Sequence, residues 1–211
     1  MNVGIIGVTG NAGAELARLL LKHPEFSLTE VSGRSEAGQK LVDVFPYLHQ
    51  YDLTIEPEIG RADLFFSALP HKSSAEICGP LVKRGKKVVD LSADFRLRDL
   101  AIYEQTYEVR HPHPELLAEA VYGLPELHSV EIAQARIVGN PGCYPTAAIL
   151  ALAPAICAGV ASPMVIIDAK SGVSGAGRTP TRTNSYIEIN ENTVPYACLL
   201  YTSDAADDLT R

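Results

Sequence analysis

The amino-acid sequence predicts an α/β protein with a doubly wound, mostly parallel sheet, followed by the start of an α+β domain. Short apolar segments alternate with segments of helical periodicity up to about residue 158, which is typical of strand–helix–strand units in a parallel sheet. A glycine-rich turn at residues 7–13 joins the first predicted strand to the first predicted helix. Of the 211 residues, 46% are hydrophobic and 20% charged, so the chain can bury a substantial core.

The predicted elements follow one another in the order that this fold requires. An apolar run at 3–6, a helical segment at 14–21 and a second apolar run at 28–32 form one right-handed βαβ unit. Further strands are predicted at 63–69, 87–91, 136–139 and 164–169, and further helices at 73–84, 130–135 and 145–158. Residues 99–128 are rich in Pro, His and Tyr and are predicted to be irregular.

Charge and composition restrict the partners. The net charge of -7 argues against nucleic acid or an anionic membrane surface as the main partner, although a few local donors can bind a phosphorylated small molecule. The sequence has no apolar run of membrane-spanning length and no signal-peptide pattern. No pairing or metal-binding spacing relates the four cysteines, which are Cys78, Cys143, Cys157 and Cys198. We therefore expect a cytoplasmic protein without a metal site.

The glycine-rich turn predicts a dinucleotide site. Its glycines are spaced Gly-x-x-Gly-x-x-Gly, between a predicted strand and a predicted helix. In that context glycines allow a tight turn, close approach of the backbone to a pyrophosphate, and packing of the helix on the sheet. The pyrophosphate would lie at the positive end of the helix. An ordinary tight βα turn is the alternative. We assign cofactor binding to Gly7, Thr9, Gly10, Asn11, Ala12 and Gly13.

The end of the second predicted strand indicates NADP rather than NAD. NAD-binding proteins tend to place an acidic residue there to hold the ribose hydroxyls. This chain has Ser32, Gly33, Arg34 and Ser35 instead, and a guanidinium with two hydroxyls suits a 2′-phosphate. We assign Ser32, Arg34 and Ser35 to the cofactor. The alternative is that Arg34 is an ordinary solvated cation.

One cysteine is placed as a nucleophile. Cys143 follows Asn140, Pro141 and Gly142 and precedes Pro145, which suits the first turn of a helix. A thiol at a helix N-terminus is favoured as thiolate by the dipole and the free N–H groups, and those groups, with the Asn140 amide, can receive an oxyanion. A buried structural cysteine is the alternative, which we adopt for Cys78 and Cys157.

A second glycine-rich stretch, residues 168–178, follows the strand predicted at 164–169. It combines glycines, serines and two cations, a composition that suits a phosphate or carboxylate. We assign Ser171, Gly172, Ser174 and Arg178 to the substrate and Gly175 to the cofactor. The alternative is a flexible surface loop.

With these residues identified, the chain resembles the N-acetyl-γ-glutamyl-phosphate reductases, in their longer-chain branch. The resemblance covers about residues 1–197, and the segment around Cys143 is its most specific part. Related aspartate-semialdehyde dehydrogenases share the fold and the use of a cysteine, but their cysteine segments differ. The matching segments are Gly-Val-Thr-Gly-Asn-Ala-Gly at 7–13, Asp-Leu-Ser-Ala-Asp-Phe-Arg at 90–96, Tyr-Gly-Leu-Pro-Glu at 122–126, Asn-Pro-Gly-Cys-Tyr-Pro-Thr at 140–146 and Ser-Gly-Val-Ser-Gly-Ala-Gly-Arg at 171–178.

The resemblance implies an enzyme and a mechanism. It implies a Rossmann-type nucleotide-binding domain, a homo-oligomer, and NADPH-dependent reduction of N-acetyl-glutamyl 5-phosphate to N-acetyl-glutamate 5-semialdehyde and phosphate, in arginine biosynthesis. The Cys143 thiolate would form a thioester with the acyl group. Two alternatives stay open: a related acyl-phosphate reductase of lysine (aminoadipyl) or aspartate biosynthesis, or a catalytically inactive NADP-binding fragment.

The resemblance also predicts a division of the chain. We expect an NADP-binding domain at 1–142, the catalytic helix and the start of a substrate domain at 143–197, and a non-native tail at 198–211, where the match to the family ends. The family's acid/base histidine would follow the stretch that matches 188–197. The last histidine here is His128, so this chain itself is predicted to turn over little substrate.

Overall fold

The computed structural model describes residues 1–161 and 164–194. The chain divides into two compact units, Met1–Pro141 and Gly142–Arg211. The tail predicted at 198–211, with Cys198, lies outside the described residues. In the described part, no helix is long and apolar enough to cross a membrane.

The first unit is built on a seven-stranded sheet in which every pairing of the strands is parallel. The strand order is β3-β2-β1-β4-β5-β7-β6, so it reverses between β1 and β4. This confirms the predicted doubly wound fold, and the reversal marks the crevice where such sheets bind ligands. The strands are β1 (Asn2–Ile6), β2 (Ser27–Ser32), β3 (Ile55–Glu56), β4 (Leu64–Ser67), β5 (Lys87–Asp90), β6 (Val121–Tyr122) and β7 (Ile137–Gly139).

Hydrophobic side chains cover the sheet on both faces. Val3 and Ile5 of β1 belong to one buried cluster and Ile6 to another, as expected when alternate residues of a strand point to opposite faces. Helix α1 packs in the first cluster and α3 in the second. The helices are α1 (Asn11–Leu20), α2 (Leu41–Val44), α3 (Ser74–Lys83), α4 (Leu100–Tyr107), α5 (Pro114–Leu117), α6 (Pro125–Gln134), α7 (Cys143–Cys157) and α8 (Tyr186–Ile189).

The prediction that residues 99–128 are irregular is wrong. They contain α4, α5, β6 and the first turn of α6. The Asp99 carboxylate caps α4, accepting hydrogen bonds from the N–H groups of Ala101 (2.8 Å) and Ile102 (3.1 Å), while Pro114 and Pro125 begin α5 and α6. An Asp before an apolar run and a Pro at the first helical position are both start signals, so the sequence contained the information.

The strand predicted at 164–169 is also absent from the structure, and no part of this segment pairs with a strand among the described residues. Met164 and Ile166 remain 77% and 89% exposed. Apolar composition alone does not make a strand, because the backbone N–H and C=O groups need a neighbouring ladder. Short 3₁₀ helices at Val173–Ala176 and Arg182–Asn184 follow in the same unit.

Candidate functional site

The turn after β1 is held by the end of β2. Gly7 has φ +80°, a conformation that disfavours residues with a Cβ. The N–H groups of Gly7 and Val8 both donate to the carbonyl of Ser32, at 2.9 Å each. These hydrogen bonds connect the turn after β1 to the end of β2. The cofactor residues predicted in the two loops therefore lie side by side at the carboxyl ends of these strands.

Helix α1 begins at this turn, and its N-cap residue contributes no side-chain hydrogen bond to the first N–H groups. Its N-cap is Gly10, and its first turn contains no acidic residue. A Cβ on Gly13 would lie 2.4 Å from the carbonyl oxygen of Gly7, so only glycine lets the helix start so close to the turn. Asn11 and Ala12 are exposed beside it. These features fit a dinucleotide, whose pyrophosphate needs close backbone N–H donors at a helix N-terminus.

The loop after β2 presents one exposed cation. Arg34 is exposed and has no ion pair with any described residue. A Cβ on Gly33 would lie 2.7 Å from Cγ2 of Thr9, so this loop packs directly on the glycine-rich turn. The hydroxyl of Ser35 donates to the carboxylate of Glu36. A carboxylate therefore does lie beside the loop, one residue beyond the segment that indicated NADP.

A buried polar cluster at the ends of β4 and β5 was not predicted from the sequence. The carboxylate of Asp90 accepts from the hydroxyls of Ser74 (2.6 Å) and Ser92 (2.5 Å). Since Ser74 donates to Asp90, the Ser67 hydroxyl donates to Ser74, at 2.6 Å. Burial raises the pKa of Asp90 from its ordinary 3.8 to about 6, because these hydrogen bonds offset only part of the lost hydration.

A second buried carboxylate, Asp94, accepts hydrogen bonds from the turn between β4 and α3 and so stabilises it. Its Oδ1 accepts from the N–H of Lys72 (2.7 Å) and the hydroxyl of Tyr103 (3.0 Å). Its Oδ2 accepts from the N–H of Ala75, at 2.9 Å. Asp94 thus caps α3 from a loop about twenty residues away in sequence, which no local capping pattern reveals.

His111 supports the same loop as a neutral ring. Its Nδ1 accepts from the N–H of His113 (3.1 Å), so its Nε2–H donates to the carbonyl of Asp94 (2.9 Å). Burial lowers the pKa of His111 below its ordinary 6.5, because the charged form would lose its hydration.

Asn140 is the next-to-last residue of the first unit, and both its backbone N–H and its backbone carbonyl are hydrogen-bonded. Its N–H donates to the carbonyl of Asp90 (2.7 Å), and its own carbonyl accepts from Nε of Arg96 (2.7 Å). The Asn140 side-chain amide donates to the carbonyl of Pro141, at 3.1 Å. In this conformation the amide that we assigned to an oxyanion is hydrogen-bonded within the loop.

In the second unit, Cys143 is the first residue of α7 and is exposed. Gly142 is the N-cap and contributes no side-chain hydrogen bond, while Thr146 donates to its carbonyl through both N–H (3.0 Å) and hydroxyl (2.8 Å). The predicted helix-start position is confirmed, two residues before the expected beginning of the helix.

Cys143 lines an open cleft of about 460 Å³ within the second unit. The first two turns of α7 form one wall and residues 167–172 the other. Of the predicted substrate residues, Ser171 and Gly172 line this cleft with Cys143, whereas Ser174 and Arg178 do not. Gly175 lies in the 3₁₀ helix Val173–Ala176, where a Cβ would be 2.8 Å from the Ser171 hydroxyl oxygen.

The other two described cysteines differ from each other. Cys78 is buried in α3, with its Sγ 3.4 Å from the Ser74 hydroxyl oxygen, and burial raises its pKa to about 12. This agrees with a structural role. Cys157 is exposed at the end of α7, so the expectation of a buried structural thiol is wrong there. The second half of α7 packs against too few described residues to cover it.

Two family descriptions match the chain. Residues 2–135 match "Semialdehyde dehydrogenase, NAD binding domain" and residues 143–200 match "Semialdehyde dehydrogenase, dimerisation domain". A doubly wound parallel sheet with a glycine-rich turn after its first strand is typical of a dinucleotide-binding protein. The chain belongs to the semialdehyde dehydrogenase family.

Individual relatives identify a narrower group within this family. The chain is 55% identical over 195 residues to an N-acetyl-gamma-glutamyl-phosphate reductase of Dehalococcoides mccartyi, covering 92% of this chain and 57% of the relative. It is 50% identical over 203 residues to one of Heliobacterium modesticaldum, covering 93% and 58%. The resemblance found in the sequence is thereby confirmed, and the chain spans a little over half the length of these relatives.

Solved structures share the fold. An aspartate semialdehyde dehydrogenase with NADP from Candida albicans superposes with a TM-score of 0.63 at 21% identity, covering 94% of this chain and 56% of that one. An aspartate semialdehyde dehydrogenase II complexed with ASA from Vibrio cholerae gives a TM-score of 0.54 at 19% identity, covering 74% and 46%. At these identities the comparison supports the architecture only.

Proposed function

We propose that this chain is part of an NADPH-dependent reductase that converts N-acetyl-glutamyl 5-phosphate to the 5-semialdehyde, in arginine biosynthesis. The observation that carries the proposal is Cys143, exposed at the first position of α7 in a cleft with Ser171 and Gly172. The relatives at 47–55% identity carry the name of that reductase.

The first unit would hold the cofactor. The start of α1, whose N-cap is a glycine, and the glycines at 7 and 13 supply the backbone donors and the space that a pyrophosphate needs. Arg34 would bind the 2′-phosphate that distinguishes NADP from NAD. When bound, the nicotinamide dinucleotide supplies the hydride that reduces the acyl group to the aldehyde.

The second unit would hold the nucleophile. The Cys143 thiolate attacks the acyl carbon, the bond from that carbon to the phosphate oxygen breaks, and phosphate leaves with the electron pair to give a thioester. The N–H groups of the first turn of α7, which Gly142 leaves uncapped by a side chain, stabilise the oxyanion. After reduction the carbon–sulfur bond breaks and Cys143 is released as thiolate.

The remaining assignments belong to the same proposal. Ser171 and Gly172 would contact the substrate in the cleft, Ser174 and Arg178 would do so from the following segment, and Asn140 would assist the oxyanion. We further infer a nucleotide-binding domain at 1–142, a substrate domain from 143, a homo-oligomer, no nucleic-acid partner and a cytoplasmic location. The matched dimerisation domain and the free thiols of the described cysteines support these inferences.

Phosphate release in a single turnover tests the proposal. Mixing the chain with N-acetyl-glutamyl 5-phosphate, without dinucleotide, should release up to one equivalent of phosphate and leave an acyl adduct on Cys143, detectable by mass spectrometry. Cys143→Ser should form no thioester, whereas Cys157→Ser should behave as wild type. Acylation by aspartyl phosphate in preference to the N-acetylated substrate would favour the aspartate alternative. Absence of any adduct would contradict the nucleophilic role of Cys143.

A further inference from the structure

Lys72 has a positive φ angle, a backbone conformation that is unfavourable for lysine. Three described non-glycine residues have positive φ: Lys72 (72°), Glu108 (53°) and Glu191 (54°). Glu108 ends α4, where a left-handed residue is an ordinary helix cap. Lys72 instead lies between β4 and α3, in a conformation that costs free energy for any residue except glycine.

The fold requires this conformation but not this side chain. The N–H of Lys72 donates to Oδ1 of Asp94 (2.7 Å), while Oδ2 of Asp94 accepts from Ala75 (2.9 Å). Both are backbone donors, so a glycine at position 72 would make the same bonds without strain. Strained positions of this kind cluster at functional sites, which indicates a function for the lysine ammonium.

The turn that carries Lys72 lies beside the predicted pyrophosphate loop. A Cβ on Gly7 would be 3.0 Å from the carbonyl oxygen of Ala68 and 3.2 Å from Cδ2 of Leu69, so the turn after β4 packs on the turn after β1. These are the two strands between which the strand order reverses. Lys72 is exposed and has no ion pair with any described residue.

We propose that Lys72 is a further cofactor-binding residue whose ammonium contacts the pyrophosphate of the dinucleotide. The proposal rests on the proposed function of the first unit. In a chain of net charge -7, an anionic cofactor depends on local cations, and an ammonium is an effective point charge for phosphate. β2 and β4 flank β1 on opposite sides. Arg34 would therefore bind the adenosine part of the dinucleotide, and Lys72 would bind the pyrophosphate, which NAD and NADP share.

Titration of NADP and NAD into wild type and three variants tests this. Lys72→Gly relieves the strain and removes the charge, so it should unfold at a temperature no lower than wild type yet bind both dinucleotides about fivefold more weakly. The affinity should also fall less steeply with salt. Lys72→Arg keeps the charge and should bind within about twofold of wild type. Glu108→Gly is the matched control, because it relieves a left-handed residue elsewhere and should leave both affinities unchanged.

The possible failures are distinguishable. If wild type binds NADP but Lys72→Gly binds both dinucleotides equally well, Lys72 is not a cofactor ligand. If Lys72→Gly weakens NADP alone, the ammonium contacts the 2′-phosphate and the pyrophosphate assignment is wrong. If wild type binds neither dinucleotide, the proposed function of the first unit fails, and the role of Lys72 fails with it.

Discussion

Cys143 and Cys157 are the first and last residues of one helix, α7, and both are exposed. The same helix thus presents one thiol at its positive end and one at its negative end. The helix dipole stabilises an anion at the first position and disfavours it at the last, so the two thiols form an internal comparison of the effect of position on reactivity.

We predict that limited alkylation near neutral pH labels Cys143 before Cys157, and Cys78 last of the three. Cys78 is buried with its pKa raised to about 12, so it carries little thiolate at neutral pH. The measurement is peptide mapping over time in a Cys198→Ser background. Adding urea should equalise the three rates, because unfolding removes both the helix and the burial. Faster labelling of Cys157 under native conditions would show that the start of α7 does not activate Cys143.

The glycines at positions 10 and 13 should respond differently to alanine. A Cβ on Gly10 would be 3.7 Å from the nearest atom, the Gly7 carbonyl oxygen, and Gly10 has φ -79°. Gly10→Ala should therefore cost under about 1 kcal/mol of stability. The proposed site places the pyrophosphate against this turn, where an added methyl group would hinder its approach, so we predict that Gly10→Ala still weakens dinucleotide binding.

Gly13→Ala is the counterpart, because its Cβ would lie 2.4 Å from backbone oxygen. It should lose about 2 kcal/mol or more of unfolding free energy as well as cofactor affinity. Urea unfolding and dinucleotide titration measure both effects. If Gly10→Ala binds NADP as tightly as wild type, the pyrophosphate does not approach the backbone there.

NADP should bind more tightly than NAD, and Arg34→Ala should remove most of the preference. The exposed guanidinium has no ion pair among the described residues and can bind a 2′-phosphate, so we expect NADP affinity to fall about tenfold with NAD unchanged. Glu36→Gln tests the same cofactor preference with a change in the opposite direction. Its carboxylate accepts from the Ser35 hydroxyl and would repel a 2′-phosphate, so the variant should bind NADP more tightly. Equal affinities for NADP and NAD in wild type would refute the preference.

Asp90 should make the folded state less stable as pH rises. Its pKa is raised from 3.8 to about 6 in the folded protein, so between these values the folded state binds more protons than the unfolded state and stability falls with increasing pH. Asp90→Asn cannot titrate. The difference in unfolding free energy, wild type minus variant, should therefore decrease from pH 4 to pH 6 and then level off. Urea titrations at pH 4, 5, 6 and 7 measure it. A difference that stays constant would show that Asp90 titrates normally.

Local sequence signals were enough to predict the glycine-rich turn after β1 and the start of α7 at Cys143. The glycine-rich turn between β1 and α1 and the helix start at Cys143 each depend on contiguous residues, whose backbone preferences act over one turn. The helices that start after Asp99 and at Pro114 and Pro125 are likewise encoded by start signals in adjacent residues, although these starts were not predicted. The family resemblance likewise followed from contiguous motifs.

The sequence by itself determined the α/β class, the glycine-rich turn after β1 and the position of Cys143 at a helix start, because these follow from periodicity and from residue types adjacent in the chain. Only the tertiary structure showed that Asp94 caps α3 and accepts a hydrogen bond from the N–H of Lys72, that Asp90 is buried beside Ser74, and that residues 164–169 pair with no strand in the described part of the chain. Each of these depends on groups brought together from distant segments. Burial and pairing arise only when the sheet is assembled, and no local pattern specifies which carboxylate will end beneath which helix.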